Sequence, residues 1–341
     1  VGTGFSSVAV GDGRVYTMGN DAQRDTVFCF DANSGAQVWK YSYASPMDPK
    51  FYEGGPSATP TIDSGRVYTL SKRGLVNALN AADGKLVWSK DLAKAVGATI
   101  PTWGFASSAL VEGNLVVFNV GSAGAALDKA TGNVVWKSGG SESGYSTAVP
   151  FDAGANRGVL LFLATSVAAV NLSDGRLIWS HPWKTEYDVN AADPIMLREN
   201  VFISSGYERG GALLKISGKS ASVVWENKNM RNHFNSCVLL DGYLYGFDES
   251  ELKCLDFNTG QVRWRQGSLG KGSLMAADGK LIILSERGEL VIADASSNGF
   301  KALSRAQVLG GKCWSAPVLS NGRIYCRNAK GDLVCVDVSG K

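Results

Sequence analysis

The 341 residues contain only two histidines, and one of them, His233, stands close to Asn232 and Asn235. An imidazole so placed could act as a base toward an alcohol or sugar hydroxyl, although the plainer reading of a lone histidine in a loop is structural. His181, between Trp179 and Pro182, reads as a surface loop residue. Similar short segments bring Trp103, Tyr145, Asn190, Asn235 and Trp314 forward. Aromatic faces with a few amides between them suit a flat or sugar-like ligand; the plainer reading is that the rings pad the ends of strands. A second set is cationic: Lys72, Arg73, Arg287 and Lys330, with Arg24, Lys271 and Lys312 nearby. Asp21, Asp25, Glu286, Glu289 and Asp332 are interspersed among them, as on a solvated mixed-charge surface. Other chemistries lack their residues. The sequence has no Cys-x-x-Cys pair, no haem-attachment motif, no zinc spacing, no phosphate-cradling glycine loop and no Ser-His-Asp constellation.

These segments must be positioned by something, and the sequence repeats. The stretch Ala126-Leu127-Asp128-Lys129-Ala130-Thr131-Gly132-Asn133-Val134-Val135-Trp136 recurs in other versions from Cys29 to Trp39, Ala78 to Trp88, Ala169 to Trp179 and Cys254 to Trp264. Each has Asp or Asn eight positions before the Trp and Gly four before it. A motif returning every 40–50 residues marks a repeat architecture. Hairpin signals are expected at Asp12-Gly13, Ser64-Gly65, Glu112-Gly113, Arg157-Gly158, Glu199-Asn200, Asp241-Gly242, Asp278-Gly279 and Asn321-Gly322. Third strands should end near Asp31, Asn80, Asp128, Asn171, Ile216, Asp256, Asp294 and Asp337, with fourth strands carrying Trp39, Trp88, Trp136, Trp179, Trp225 and Trp264. Eight units of four antiparallel strands, without a convincing helix between them, give an all-β, eight-bladed propeller. It forms one domain with blades near 1–41, 57–91, 105–138, 145–181, 190–227, 235–267, 273–305 and 315–341.

In such a ring the Trp fills the wedge between neighbouring blades. Burying about 200 Å² at roughly 25 cal/mol/Å² stabilises by up to about 5 kcal/mol. The frame fails in three places: the fifth unit keeps Trp225 but reads Ile216 without the acidic residue, the seventh has Leu303 for Trp, and the eighth stops at Lys341 before a fourth strand. Val1 stands just before the first strand, so the eighth blade is expected to have three strands, or a closing strand lost by trimming. A fourth strand from residues 1–5 would contradict this.

Composition narrows the classes. A hydrophobic fraction of 45% with 19% charged residues is that of a globular chain, and 41 Gly fit many tight turns. A net charge of +3 without basic runs argues against nucleic acid, and no apolar stretch approaches the ~20 residues of a membrane span. The sequence opens without a signal peptide, as a mature or trimmed terminus would. Six Cys are scattered; Cys326 and Cys335, symmetric about Lys330-Gly331, would face each other across a hairpin, either as a disulfide or as two buried thiols.

The frame Ala-x-Asp-x-x-Thr-Gly-x-x-x-Trp, clearest at Ala126 to Trp136, resembles the tryptophan-docking motif of the pyrroloquinoline quinone (PQQ)-like propeller superfamily. That superfamily includes quinoprotein alcohol dehydrogenases, polyvinyl-alcohol dehydrogenase-like proteins and the propeller lipoprotein of the bacterial outer-membrane assembly machine. The resemblance covers the whole chain and implies the fold, export to the periplasm or envelope, and a monomeric ring. It implies two activities. One is a non-catalytic scaffold for other envelope proteins. The other is a PQQ- and calcium-dependent dehydrogenase of alcohols or sugars, whose tricarboxylate quinone would stack on Trp103 or Trp314 beside the cationic set. The dehydrogenases' adjacent-cysteine pair is missing, and no local Glu, Asn and Asp cluster matches their calcium site. A ligand- or glycan-binding propeller is a third reading.

Overall fold

A computed structural model describes residues 1–50, 52–139, 143–153 and 156–340. Eight antiparallel sheets follow one another along the chain, each in sequential strand order, seven with four strands and the last with three. The eight hydrophobic clusters among the described residues fall one to each junction between neighbouring sheets. Tyr68 and Val116 share one across blades two and three, for example, and Val15 and Tyr325 share one across blades one and eight. The core is therefore a ring of interfaces, with blade eight packed against blade one.

The turns explain why the sequence chooses these strands. Asp12 and Gly13 have φ of 51° and 71°, the paired positive values of a type I′ hairpin. Ser64-Gly65, Asp241-Gly242, Asp278-Gly279 and Asn321-Gly322 repeat them. Three blades depart from expectation. The turn falls on Gly113-Asn114 in blade three and on Arg198-Glu199 in blade five, each displaced by one residue. In blade four Arg157 and Gly158 lie inside strand Asn156–Phe162, paired with Asp152 and Phe151. A glycine preceded by arginine there serves close packing, since a Cβ on Gly158 would stand 3.0 Å from the Phe151 ring. One short helix also occurs, Leu92–Val96 after blade two, begun by the Asp91 carboxylate accepting the Lys94 N–H at 3.0 Å and ended by left-handed Gly97.

The repeated frame works as a clamp aimed at the next blade. Asp128 Oδ1 accepts from Ala130 N, Thr131 N and Thr131 Oγ1 at 2.8–3.1 Å, which fixes the turn and holds its carboxyl below the usual range. A bulge between Ala126 and Leu127 then re-aims the fourth strand, and all seven third-to-fourth strand pairs carry one. Each Trp lies opposite a smaller residue of its own blade, Trp136 opposite Ala126 and Trp39 opposite Cys29. Its indole N–H reaches a carbonyl of the following blade: Trp39 to Ala81 at 2.9 Å, Trp88 to Lys129 at 3.1 Å, Trp136 to Leu172 at 2.7 Å, Trp225 to Phe257 at 2.9 Å and Trp264 to Ser296 at 2.7 Å. The rings of Trp39, Trp88, Trp136 and Trp225 lie on that blade's turn glycine, whereas Trp264 packs against Phe300 with centroids 5.8 Å apart. A Cβ on Gly84, Gly132, Gly175 or Gly260 would come within 2.5–2.7 Å of the indole, or of the neighbouring Asn227 amide at Gly260.

Trp179 is the exception. It is buried, but blade five turns directly from Ser217 to Ser220, and its indole N–H finds no acceptor. The degenerate frame at Ile216 is thus felt by the preceding blade.

Blade eight consists of strands Val318–Ser320, Arg323–Arg327 and Leu333–Asp337; its expected end at residue 341 lies outside the described residues. Thr3 bridges to Asn20 of blade one instead of extending blade eight. With no Trp over it, Gly35 has open space where its Cβ would be, beside a groove of about 650 Å³ bordered by Phe28, Ala32 and Leu333. The junction is held from inside by Arg327. Its buried guanidinium donates to Ser6 O at 2.8 Å, Thr17 Oγ1 at 2.9 Å, Gly2 O at 3.0 Å and Met18 O, and burial lowers its pKa to about 9. The Val1 amino group adds a bond to Gly331 O at 2.8 Å. Hairpin register puts Cys326 opposite Val334 and Cys335 opposite Tyr325. The two sulfurs therefore take opposite faces, Cys326 buried and Cys335 exposed, and both are free thiols. The symmetry about Lys330-Gly331 misleads by one residue, which in a strand reverses the face.

Candidate functional site at the channel mouth

The segments entering the innermost strands meet around one end of the central channel and enclose about 1070 Å³. Hydrogen bonds between blades fix their heights. Ser7 N–H donates to Thr59 Oγ1 at 3.0 Å, Thr59 N–H to Ser108 Oγ at 3.0 Å, and Ser108 N–H to Thr147 Oγ1 at 3.2 Å. Thr147 N–H then donates to Asp193 Oδ1 at 2.7 Å and Asp193 N–H to Ser236 Oγ at 2.8 Å. Six blades are laced in this way, and Ser7 Oγ ties back to Ala316 O at 2.7 Å. Asp193 is the acidic member of a girdle otherwise built from hydroxyls. Burial raises its pKa to about 6, against the opposing pull of the Thr147 N–H.

Above the girdle stands a belt of rings. From Tyr52 it runs to Phe5 (5.4 Å between centroids), Trp314 (5.5 Å), Phe234 (4.4 Å), His233 (4.9 Å), Tyr207 (4.7 Å) and Tyr187 (5.0 Å), with the Trp103–Tyr145 pair (6.1 Å) completing the wall. Of the residues singled out in the sequence, His233, Trp103, Tyr145, Asn235 and Trp314 line this mouth.

The others lie elsewhere. Asn190 is buried, its amide nitrogen spanning the carbonyls of Leu163, Ala164 and Trp183 while its oxygen accepts from Ser205 Oγ. Lys72 is buried with Nζ donating to Tyr52 Oη at 2.6 Å, and burial lowers its pKa to about 8. Arg73, Arg287 and Lys330 are exposed and do not border the mouth. His181 belongs to strand Leu177–Pro182 rather than a loop.

His233 is held in one state. Its Nδ1 lies 2.7 Å from Lys271 Nζ, which also pairs with Glu249 at 2.9 Å. Burial first, and then the Lys271 charge, lowers its pKa to about 4. The ring is therefore neutral near pH 7, with Nδ1 accepting from the ammonium and Nε2 carrying the proton. Such a ring is a hydrogen-bond donor and a weak base. Lys312 is likewise engaged, 2.9 Å from Glu53 and 4.3 Å from the Trp314 ring centroid. The cations beside the mouth are thus already neutralised, while Asp188 and Asp193, which line it, have no cationic partner among the described residues.

Residues 23–266 and 248–341 match the family described as outer membrane protein assembly factor BamB. The chain belongs to this family. Among its relatives is the BamB of Yersinia pestis, 24% identical over 322 residues, covering 88% of this chain and 78% of that one. The BamB of Escherichia coli K12 is 25% identical over 320 residues, with the same coverage. In structure the chain resembles BamB from Moraxella catarrhalis, with a TM-score of 0.73, 16% identity and coverage of 98% and 95%. It also resembles a quinohemoprotein alcohol dehydrogenase from Pseudomonas putida, with a TM-score of 0.70, 16% identity and coverage of 95% and 69%. These structural likenesses carry the ring and nothing finer.

The dehydrogenase likeness raises the quinone and calcium. The mouth does not fit them. A tricarboxylate would meet the uncompensated Asp188 and Asp193, with Lys271 and Lys312 already held by Glu249 and Glu53. Among the described residues no group of three His, Cys, Asp or Glu side chains could hold a metal ion.

Proposed function

We propose that this chain is a non-catalytic propeller of the bacterial cell envelope that presents its mouth and rim to other proteins during outer-membrane protein assembly, acting as a monomer after export. Membership of the BamB family over nearly the whole chain carries the reading. The mouth supports it: a wide aromatic surface held at fixed height by interblade bonds suits docking, and His233 is locked into a donor role. Photo-crosslinkers at Tyr187 and Trp103, expressed in envelope-bearing cells, should trap defined assembly partners, and one at the outer-strand Val135 should not. Equal trapping at all three positions refutes docking at the mouth. Purified protein given PQQ, calcium and alcohols or sugars should reduce no dye; turnover would establish the dehydrogenase reading instead.

A further inference from the structure

We propose that the channel mouth is a receptor for a basic side chain, an arginine or lysine carried on a loop of a partner protein. The aromatic wall and the carboxylates of Asp188 and Asp193 would hold it. The inference rests on the protein-docking reading and specifies what the mouth recognises.

Charge balance comes first. Lys271 and Lys312 are each 2.9 Å from a carboxylate, and Lys72 is buried against Tyr52 Oη. The negative groups facing the cavity are not so matched. Asp188 Oδ1 is buried without a hydrogen-bond partner, although Asp188 lines the mouth. Asp193 accepts a backbone N–H, a bond that leaves its charge uncompensated. A buried carboxylate oxygen without a donor is unfavourable until a donor arrives.

The walls supply the second half. Trp103, Tyr145, Tyr187, Tyr207 and Phe234 surround the same space, and ring faces attract a desolvated cation. Among the described residues three of the chain's own cations use this combination. Arg305 lies 6.0 Å over the Phe300 ring while pairing with Glu289 at 3.1 Å. Arg209 lies 3.5 Å over the Trp183 ring while pairing with Glu226 at 2.6 Å, and Lys312 lies over Trp314 while pairing with Glu53. At Asp188 and Asp193 the carboxylates are present beside the ring wall, and no cation of the described residues pairs with them.

The test uses the whole protein and small probes: N-acetyl-arginine methylamide, its lysine counterpart, the neutral citrulline isostere, and maltotriose. Ligand-observed NMR with competition gives the affinities. The arginine and lysine compounds should bind at least tenfold more tightly than citrulline. Asp188→Asn with Asp193→Ser should abolish that preference; serine is chosen because Ser7, Ser108 and Ser236 occupy the same girdle position in other blades. Asp83→Asn, on a surface turn, should leave it unchanged, and circular dichroism verifies the fold of each variant. Citrulline binding as well as arginine, a preference that survives both substitutions, or maltotriose alone binding would each overturn the inference. Crosslinks at Tyr187 and Trp103 separate the two levels. If they persist without any cation preference, this inference fails alone; if they vanish too, the docking reading fails with it.

Discussion

Consider replacing Gly132 by alanine. Its φ of 73° lies where an L side chain is strained by about 1–2 kcal/mol, and the new Cβ would stand 2.6 Å from Trp88 Cε3. The indole must lift by roughly 1 Å to regain van der Waals contact. That stretches its 3.1 Å bond to Lys129 O beyond hydrogen-bond range, a loss of about 1 kcal/mol, and part of the ring's burial goes with it. The sum is about 3–4 kcal/mol. Gly35 provides the internal control. Its φ is 70°, yet no atom lies within 4 Å of its Cβ position, because no Trp sits there. Gly35→Ala should therefore show the backbone strain alone, about 1–2 kcal/mol. Thermal melts followed by circular dichroism should separate the variants by a few degrees. In a Trp88→Ala background Gly132→Ala should fall to the Gly35 value, closing a double-mutant cycle. Equal destabilisation at Gly132 and Gly35 in the wild-type background would refute the clamp.

Three further outcomes are expected. Trp136→Phe, which removes a 2.7 Å bond to Leu172 O, should destabilise by about 1 kcal/mol more than Trp179→Phe, whose N–H is already unpartnered; denaturant midpoints compare them. Arg327→Leu strips partners from the Ser6, Gly2 and Met18 carbonyls and should destabilise by several kcal/mol, with faster amide exchange in residues 1–7 as the local sign. Asp193 has a folded-state pKa raised from 3.8 to about 6, so its carboxyl favours folding fully below pH 4 and loses that contribution as pH rises through 6. Asp193→Asn should accordingly raise the melting temperature at pH 7.5, by an amount equivalent to about 1–2 kcal/mol because the channel partly solvates the group, and the gain should vanish near pH 3.5.

The ring was legible because its determinants are local. Paired positive φ values demand Asp-Gly or Asn-Gly, the Asx turn demands Asp128 and Thr131, and the indole demands Gly. Arg157-Gly158 was misread because glycine serves close packing within strands as well as turning. The mouth was half legible. Aromatics before inner strands could be counted, so Trp103 and Trp314 were found, but burial and partner choice are not written locally. Asn190 and Lys72 look like ligand groups in sequence and are occupied by carbonyls and Tyr52. Asp193 was missed, though superposing the repeats would have revealed it, as Asp stands there where Ser7, Thr59, Ser108, Thr147 and Ser236 stand in other blades. Tyr207, contributed by a turn between second and third strands, left no such signal.

The clamps all point one way, each blade gripping its successor, and they are not continuous. Grips run from blade one through blade four and from blade five through blade seven; Trp179, Leu303 and the three-stranded blade eight interrupt them. Energetically the circle is two arcs and a keystone. Amides of blades one to four should exchange with solvent as one cooperative block and those of five to seven as another, while blade eight opens on its own schedule, pinned by Arg327. A force or a partner pulling on the rim would then shear the ring between blades seven and eight or between blades four and five, and leave the interior of either arc intact.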